Sequence, residues 1–148
     1  MNINDFFSTE QKDEIIKAIK SAERLTSGEI RVHLELNCKG NVAKRTIKWF
    51  KRLKMHRTLQ HNGVLIYLAV QDKQFAIYGD KGINRLVPDN FWVEVKTEMQ
   101  ENFVKGRFTE GLIAGIQKTG EKLQEYFPHQ KDDVDELPNE ITTSRGNS

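Results

Sequence analysis

Seven residues with oxygen or nitrogen donors, Ser27, Glu29, His61, Asn62, Asp80, Asn84 and Asp89, sit at the ends of segments whose hydrophobic pattern marks regular structure. Three carboxylates and two side-chain amides are hard oxygen donors, the set that calcium or a similar divalent cation prefers. Like charges brought close repel, and a bound cation relieves that repulsion. The same residues also serve plain structural ends. Asp89 after Pro88 reads as a helix N-cap, Asp80 as a turn residue, and Glu29 as a surface partner of Arg31 or Arg85.

Other chemistry is sparse. The chain holds no Gly-x-Ser-x-Gly, no His-Glu-x-x-His, no P-loop and no EF-hand loop. Gly79-x-x-Gly82 is a minimal phosphate-nest pattern. The lone Cys38 excludes an intramolecular disulfide and a multi-cysteine zinc site, and reads as an inert small residue rather than a nucleophile. His33 alternates onto the polar side of its strand and reads as a surface residue.

The elements that must position these residues follow from periodicity. Ser8 with Gln11 three residues on is a capping-box spacing, and Ile15, Ile16, Ile19, Ala22 and Leu25 recur at helical intervals until Thr26-Ser27-Gly28. From Glu29 the period becomes two, with Ile30, Val32, Leu34 and Leu36 on one side and Glu29, Arg31, His33 and Glu35 on the other. This predicts a strand with one buried and one polar face. Asn41 caps a second helix whose apolar side holds Val42, Ala43, Ile47, Trp49, Phe50 and Leu53. Val64–Val70 is an apolar run of seven residues, too short for a membrane span and suited to a central strand buried on both faces. Gln74–Gly79 returns as a hairpin strand. A third helix begins at Pro88-Asp89-Asn90, carries Trp92, Val95, Met99 and Phe103, and ends at Gly106. A fourth, capped by Thr109, carries Leu112, Ile113, Ile116 and Leu123, with Gly111 and Gly115 permitting close packing.

The expected order is αβαββαα, an α/β/α sandwich on a small mixed sheet. Parallel first and central strands start at one edge, and a reversed hairpin strand ends there. Glu29, Asn62 and Asp80 are thereby carried to a common corner from three places in the sequence.

Charge is uneven along the chain. Seven bases and no acid lie between Lys44 and Arg57, which makes the second helix a candidate docking face for a protein partner, with the acidic C-terminal stretch as the alternative. No aromatic is interleaved on its basic face, so nucleic acid is not the expected partner. The stretch 128–148 carries five acids, two bases, two prolines and few large apolar residues. It reads as an acidic, mostly disordered tail behind a 1–127 domain, able to fold over the basic helix. The N-terminus lacks a basic and an apolar secretory region, so a reduced cytoplasmic setting is expected. A monomer is the expected state.

Three blocks carry a family likeness. Thr26-Ser-Gly-Glu-Ile-Arg-Val-His-Leu-Glu35, Asn62-Gly-Val-Leu-Ile-Tyr-Leu-Ala-Val70 and Phe75-Ala-Ile-Tyr-Gly-Asp-Lys-Gly-Ile83 resemble the TPM domain family, and the helix pair from Phe91 to Phe127 is similar to it too. The run from Phe127-Pro128 through Glu136-Leu137-Pro138 resembles the tail of its short bacterial branch. The resemblance implies an α/β/α sandwich, divalent-ion binding and, from plastid members, acid phosphatase activity. A metal-assisted phosphatase at the same corner is therefore the alternative function. Many members carry an acid ahead of the central Gly-Val-Leu, where this chain has His61-Asn62. With the resemblance added, the expected ligands of a divalent cation, calcium first, are Glu29, Asn62, Asp80 and Asp89, in a structural or regulatory role.

Overall fold

The computed structural model describes residues 2–130 and 141–144. Helix α1, Thr9–Glu23, opens with the expected capping box: Ser8 accepts from Gln11 N while Gln11 accepts from Ser8 N. Strand β1, Glu29–Glu35, leads through α2, Val42–Arg52, to strand β2, Gly63–Ala69. The hairpin strand β3, Gln74–Gly79, is followed by a one-turn helix α3, Lys81–Asn84, then by α4, Val93–Val104, and α5, Phe108–Leu123. A fourth strand, β4, Ile141–Ser144, completes a sheet of order β3-β2-β1-β4. Strands β1 and β2 are parallel, β3 is antiparallel to β2, and β4 is parallel to β1. No helix among the described residues is long and apolar enough to cross a membrane.

One face of the sheet presents Ile30, Val32, Leu34, Val64, Ile66 and Leu68 to α1, α4 and α5. Gly111 and Gly115 bring α5 against Phe103 and Met99 of α4, as their spacing predicts. The other face lies under α2, with Phe50, Met55 and Leu65 in contact and Trp49 beside Tyr67. Burying these apolar side chains, at about 25 cal/mol per Å², is the main favourable term in the fold.

Three local expectations are corrected. Helix α4 starts at Val93, with Trp92 at the N-cap position; Asp89 lies on an exposed turn and caps nothing there. Helix α5 starts at Phe108 with Arg107 at its N-cap position, so Thr109 is a buried first-turn residue. Ile141–Ser144, inside the stretch whose composition suggested disorder, forms β4; residues 131–140 and 145–148 lie outside the described residues.

The largest correction concerns β1. All seven of its residues are buried, including the polar set Glu29, Arg31, His33 and Glu35. Alternation correctly divides the side chains between two faces, but the second face is covered, not solvated. Glu35, fully buried, takes a two-pronged ion pair from Arg45 at 2.7 Å and 2.7 Å. It also accepts from the hydroxyls of Tyr67 and Ser144. Arg45 belongs by charge to the basic helix, yet it turns inward to reach this carboxylate. His33 stacks on Trp49 with ring centroids 4.1 Å apart. Its Nδ1 meets Thr142 Oγ1 at 2.6 Å and its Nε2 meets Ser144 Oγ at 2.9 Å. Strand β4 is thus tied to the sheet by side chains as well as by its ladder.

Burial lowers the His33 pKa to about 4, against the raising pull of Glu35 and with help from Arg31 and Arg45. Burial alone would raise Glu35, but hydrogen bonds from Arg45, Ser144 and Tyr67 outweigh it and hold the carboxyl near 2. The unfolded chain binds a proton on His33 below pH 6.5 that the folded protein refuses until about pH 4. The stability this contributes is complete above pH 6.5 and is lost as pH falls to about 4, an effect of roughly 3 kcal/mol. Glu35 continues the loss from pH 4.5 down to about 2. Urea denaturation at pH 7 and pH 4.5 should show a loss of about 2–3 kcal/mol in the native chain, and a clearly smaller one in His33→Gln. An equal loss in the variant would move the acid sensitivity to another group.

Candidate functional site

Chain direction brings three of the four expected ligands to one corner of the sheet. Glu29 pairs in register with Gly63, and Glu29 N donates to Asn62 O at 3.3 Å. On the other side of β2, Asp80 N donates to Gly63 O at 3.0 Å. Glu29, Gly63 and Asp80 therefore form a cross-strand row, with about 10 Å, two strand spacings, between the outer backbones. All three side-chain donors are withdrawn from solvent: Glu29 is 4% exposed, Asn62 2% and Asp80 5%.

Two glycines let the loops converge. Gly82 of α3 packs on the preceding loop so closely that a Cβ there would lie 2.2 Å from Gln60 O and 2.6 Å from His61 O. Its N–H donates to His61 O at 2.9 Å, which holds His61 in a left-handed conformation with φ of 49°. A Cβ on Gly79 would meet the Trp92 ring at 2.9 Å. Asn62 is pinned on both sides: its N–H donates to Thr58 Oγ1 at 3.3 Å and its Nδ2 to Ser27 Oγ at 3.3 Å. The Thr26 hydroxyl bonds Phe127 O and so fastens the strand entry to the end of the last helix.

Asp80 has a divided role. Its Oδ1 accepts from Lys81 N at 2.8 Å and caps α3, a helix that the turn reading of Gly79–Gly82 did not foresee. Its Oδ2 is buried without a hydrogen-bond partner and lies 3.5 Å from His61 Nδ1, which also has none. An orphaned buried carboxylate oxygen is costly, and a cation beside it would remove that cost.

Asp89 stays outside this arrangement. It is exposed on the turn before α4, and its side chain makes no hydrogen bond with the other three. Asn84 is turned to the backbone, donating from Nδ2 to Gly79 O at 3.0 Å. Among the described residues, no three His, Cys, Asp or Glu side chains stand close enough together to hold a metal ion by themselves. A cation here would draw its first protein donors from Asp80, Asn62 and Glu29, with water completing the shell. At the opposite end of the sheet, Cys38 N donates to Asp72 Oδ2 at 2.7 Å, joining two loops around a buried thiol.

His61 was one of the seven donors singled out but not one of the four expected ligands, while His33 and Glu35, placed on a polar strand face, are fully buried. Nothing local marks Arg45, one base among seven, as the one that turns inward.

Comparisons with known proteins agree with this fold. The model of the TPM domain matches residues 2–122. The chain is similar to the BA42 protein of the psychrophilic bacterium Bizionia argentinensis, whose NMR structure superposes with a TM-score of 0.91 at 50% identity, over 97% of this chain and 99% of that one. The N-terminal domain of a P. gingivalis protein (TM-score 0.68, 18% identity, 85% of this chain and 83% of that one) shares the fold alone. So does the N-terminal domain of the cg2496 protein of Corynebacterium glutamicum (0.64, 12%, 92% and 80%). No curated protein matches.

Replacing Gly82 by Ala forces a Cβ into backbone that cannot step aside, whereas Gly79→Ala meets a side chain that can shift. Thermal and urea denaturation should show Gly82→Ala destabilised by about 2 kcal/mol or more, and by more than Gly79→Ala. A Gly82→Ala protein as stable as the native chain would mean that the two loops are not clamped in this way.

Proposed function

Because the chain belongs to the TPM domain family, we propose that it serves as a cation-binding domain whose site is the β1–β2–β3 corner, with calcium the first candidate. The observation that carries this reading is the Asp80 carboxylate, 5% exposed, with Oδ2 lacking a hydrogen-bond partner. Glu29 and Asn62 flank it as further oxygen donors, and Asp89 is the ligand that would have to swing in from its exposed turn.

Calcium takes six to eight oxygens, far more than these side chains offer, so water and loop carbonyls supply the rest. A site with few charged ligands binds weakly, with a dissociation constant of about 10⁻⁴–10⁻³ M. When bound, the ion offsets the Glu29 and Asp80 charges and adds a link between three loops already joined by backbone hydrogen bonds, the Ser27–Asn62 contact and the His61–Asp80 pair. The role is structural or regulatory: the ligand binds the folded corner and not the unfolded chain, and stabilises it by mass action.

A calcium titration followed by backbone amide shifts tests this. Shifts should localise to Gly28–Glu29, His61–Gly63 and Gly79–Lys81 at millimolar calcium. Asp80→Asn, whose Oδ1 can still cap α3, should weaken binding by about tenfold or more while leaving the spectrum folded. No localised shifts at these loops at millimolar calcium would overturn the proposal.

A further inference from the structure

His61 Nδ1 and Asp80 Oδ2 are both buried, both lack a hydrogen-bond partner, and face each other at 3.5 Å. That separation is too long for a good N–H···O bond, which wants about 2.7–3.2 Å. It does match the distance between two donors on one small tetrahedral ion. With metal–nitrogen and metal–oxygen bonds of about 2.0–2.2 Å, such donors stand about 3.4 Å apart. The backbone that carries the imidazole is fixed: it is left-handed, at φ 49°, and its carbonyl accepts from Gly82 N at 2.9 Å. The side chain is 39% exposed, so the outer side of the ring meets water while Nδ1 faces inward to Asp80.

We propose that His61 Nδ1 and Asp80 Oδ2 form a two-donor seat for a first-row divalent cation with affinity for nitrogen, zinc foremost, and that this nitrogen sets which ion the corner takes. The proposal rests on the cation-site reading of the corner and adds to it the donor that selects the ion. Calcium draws on oxygens and has little use for an imidazole, whereas zinc, nickel and copper bind imidazole well. The two ions share Asp80 and differ in their use of His61. With only two protein donors, water would have to supply the remaining positions of the ion.

The test uses the full chain, ¹⁵N-labelled, titrated with zinc chloride and, separately, calcium chloride, while the imidazole nitrogens and the backbone amides are both followed. Zinc should move the Nδ1 resonance of His61, together with the amides of 61–63 and 79–81, ahead of the exposed His56 and His129. His61→Asn tolerates the left-handed backbone and shortens the side chain, so it keeps the fold; dispersion of its amide spectrum checks this. In that variant zinc affinity should fall about tenfold or more, with the calcium midpoint unchanged. Zinc engaging only His56 or His129, or an unchanged zinc affinity in His61→Asn, would overturn the proposal even if calcium still binds. Zinc bound through His61 with no calcium response would uphold it and remove calcium from the corner. If neither ion perturbs the corner, both this proposal and the cation reading fall.

Discussion

A strand that carries Glu, Arg, His and Glu along one side and lies second from the edge of a sheet must find a partner for each of those groups, because burial strips away their water. Strand β1 is in that position, with β2 on one side, β4 on the other and α2 above the sheet. Glu35 meets the demand with a guanidinium and two hydroxyls, and His33 with two hydroxyls and the Trp49 face. Those partners come from α2, β2 and β4, so a single buried carboxylate couples three other elements to the strand. Removing one partner would strand a charge in the interior, a cost far above that of losing a surface ion pair.

The same strand begins at the candidate site. Parallel pairing with β2 places Glu29 beside Gly63, and the reversal of β3 returns Asp80 to the same row. The far end of the row is packed through two glycines and pinned by Ser27, Thr58 and Asn62. What distinguishes the corner from an ordinary loop junction is its polar imbalance: Asp80 Oδ2 and His61 Nδ1 are both buried and face each other without a hydrogen bond.

Helix α2 divides its charge between two tasks. Lys44, Lys48, Lys51 and Arg52 are exposed, and Arg52 lies over the Trp49 ring at 5.1 Å. Arg45, four residues from Trp49, faces the sheet instead. The helix therefore covers the polar side of β1 with a cation and an indole, the two groups that a buried carboxylate and a neutral imidazole can accept.

Much of this was legible from local pattern. The capping box at Ser8, the Asn41 cap, the doubly buried Val64–Val70 run, the hairpin and the Gly111–Gly115 packing follow from spacing alone, because periodicity and capping act over a few residues. The meeting of Glu29, Asn62 and Asp80 followed too, since strand direction is enough to bring them to one edge. Other features needed the tertiary structure. An alternating polar face reads the same whether water or a helix lies over it, and only the position of β4 and α2 showed that His33 and Glu35 are interior. Whether Asp89 caps a helix depended on how the chain enters α4, and the inward turn of Arg45 depended on a buried partner ten residues away. Strand β4 is four residues of modest hydrophobicity; its place depends on the open ladder of β1 and on Val32 O and Glu35, which accept from the Thr142 and Ser144 hydroxyls, partners distant in sequence.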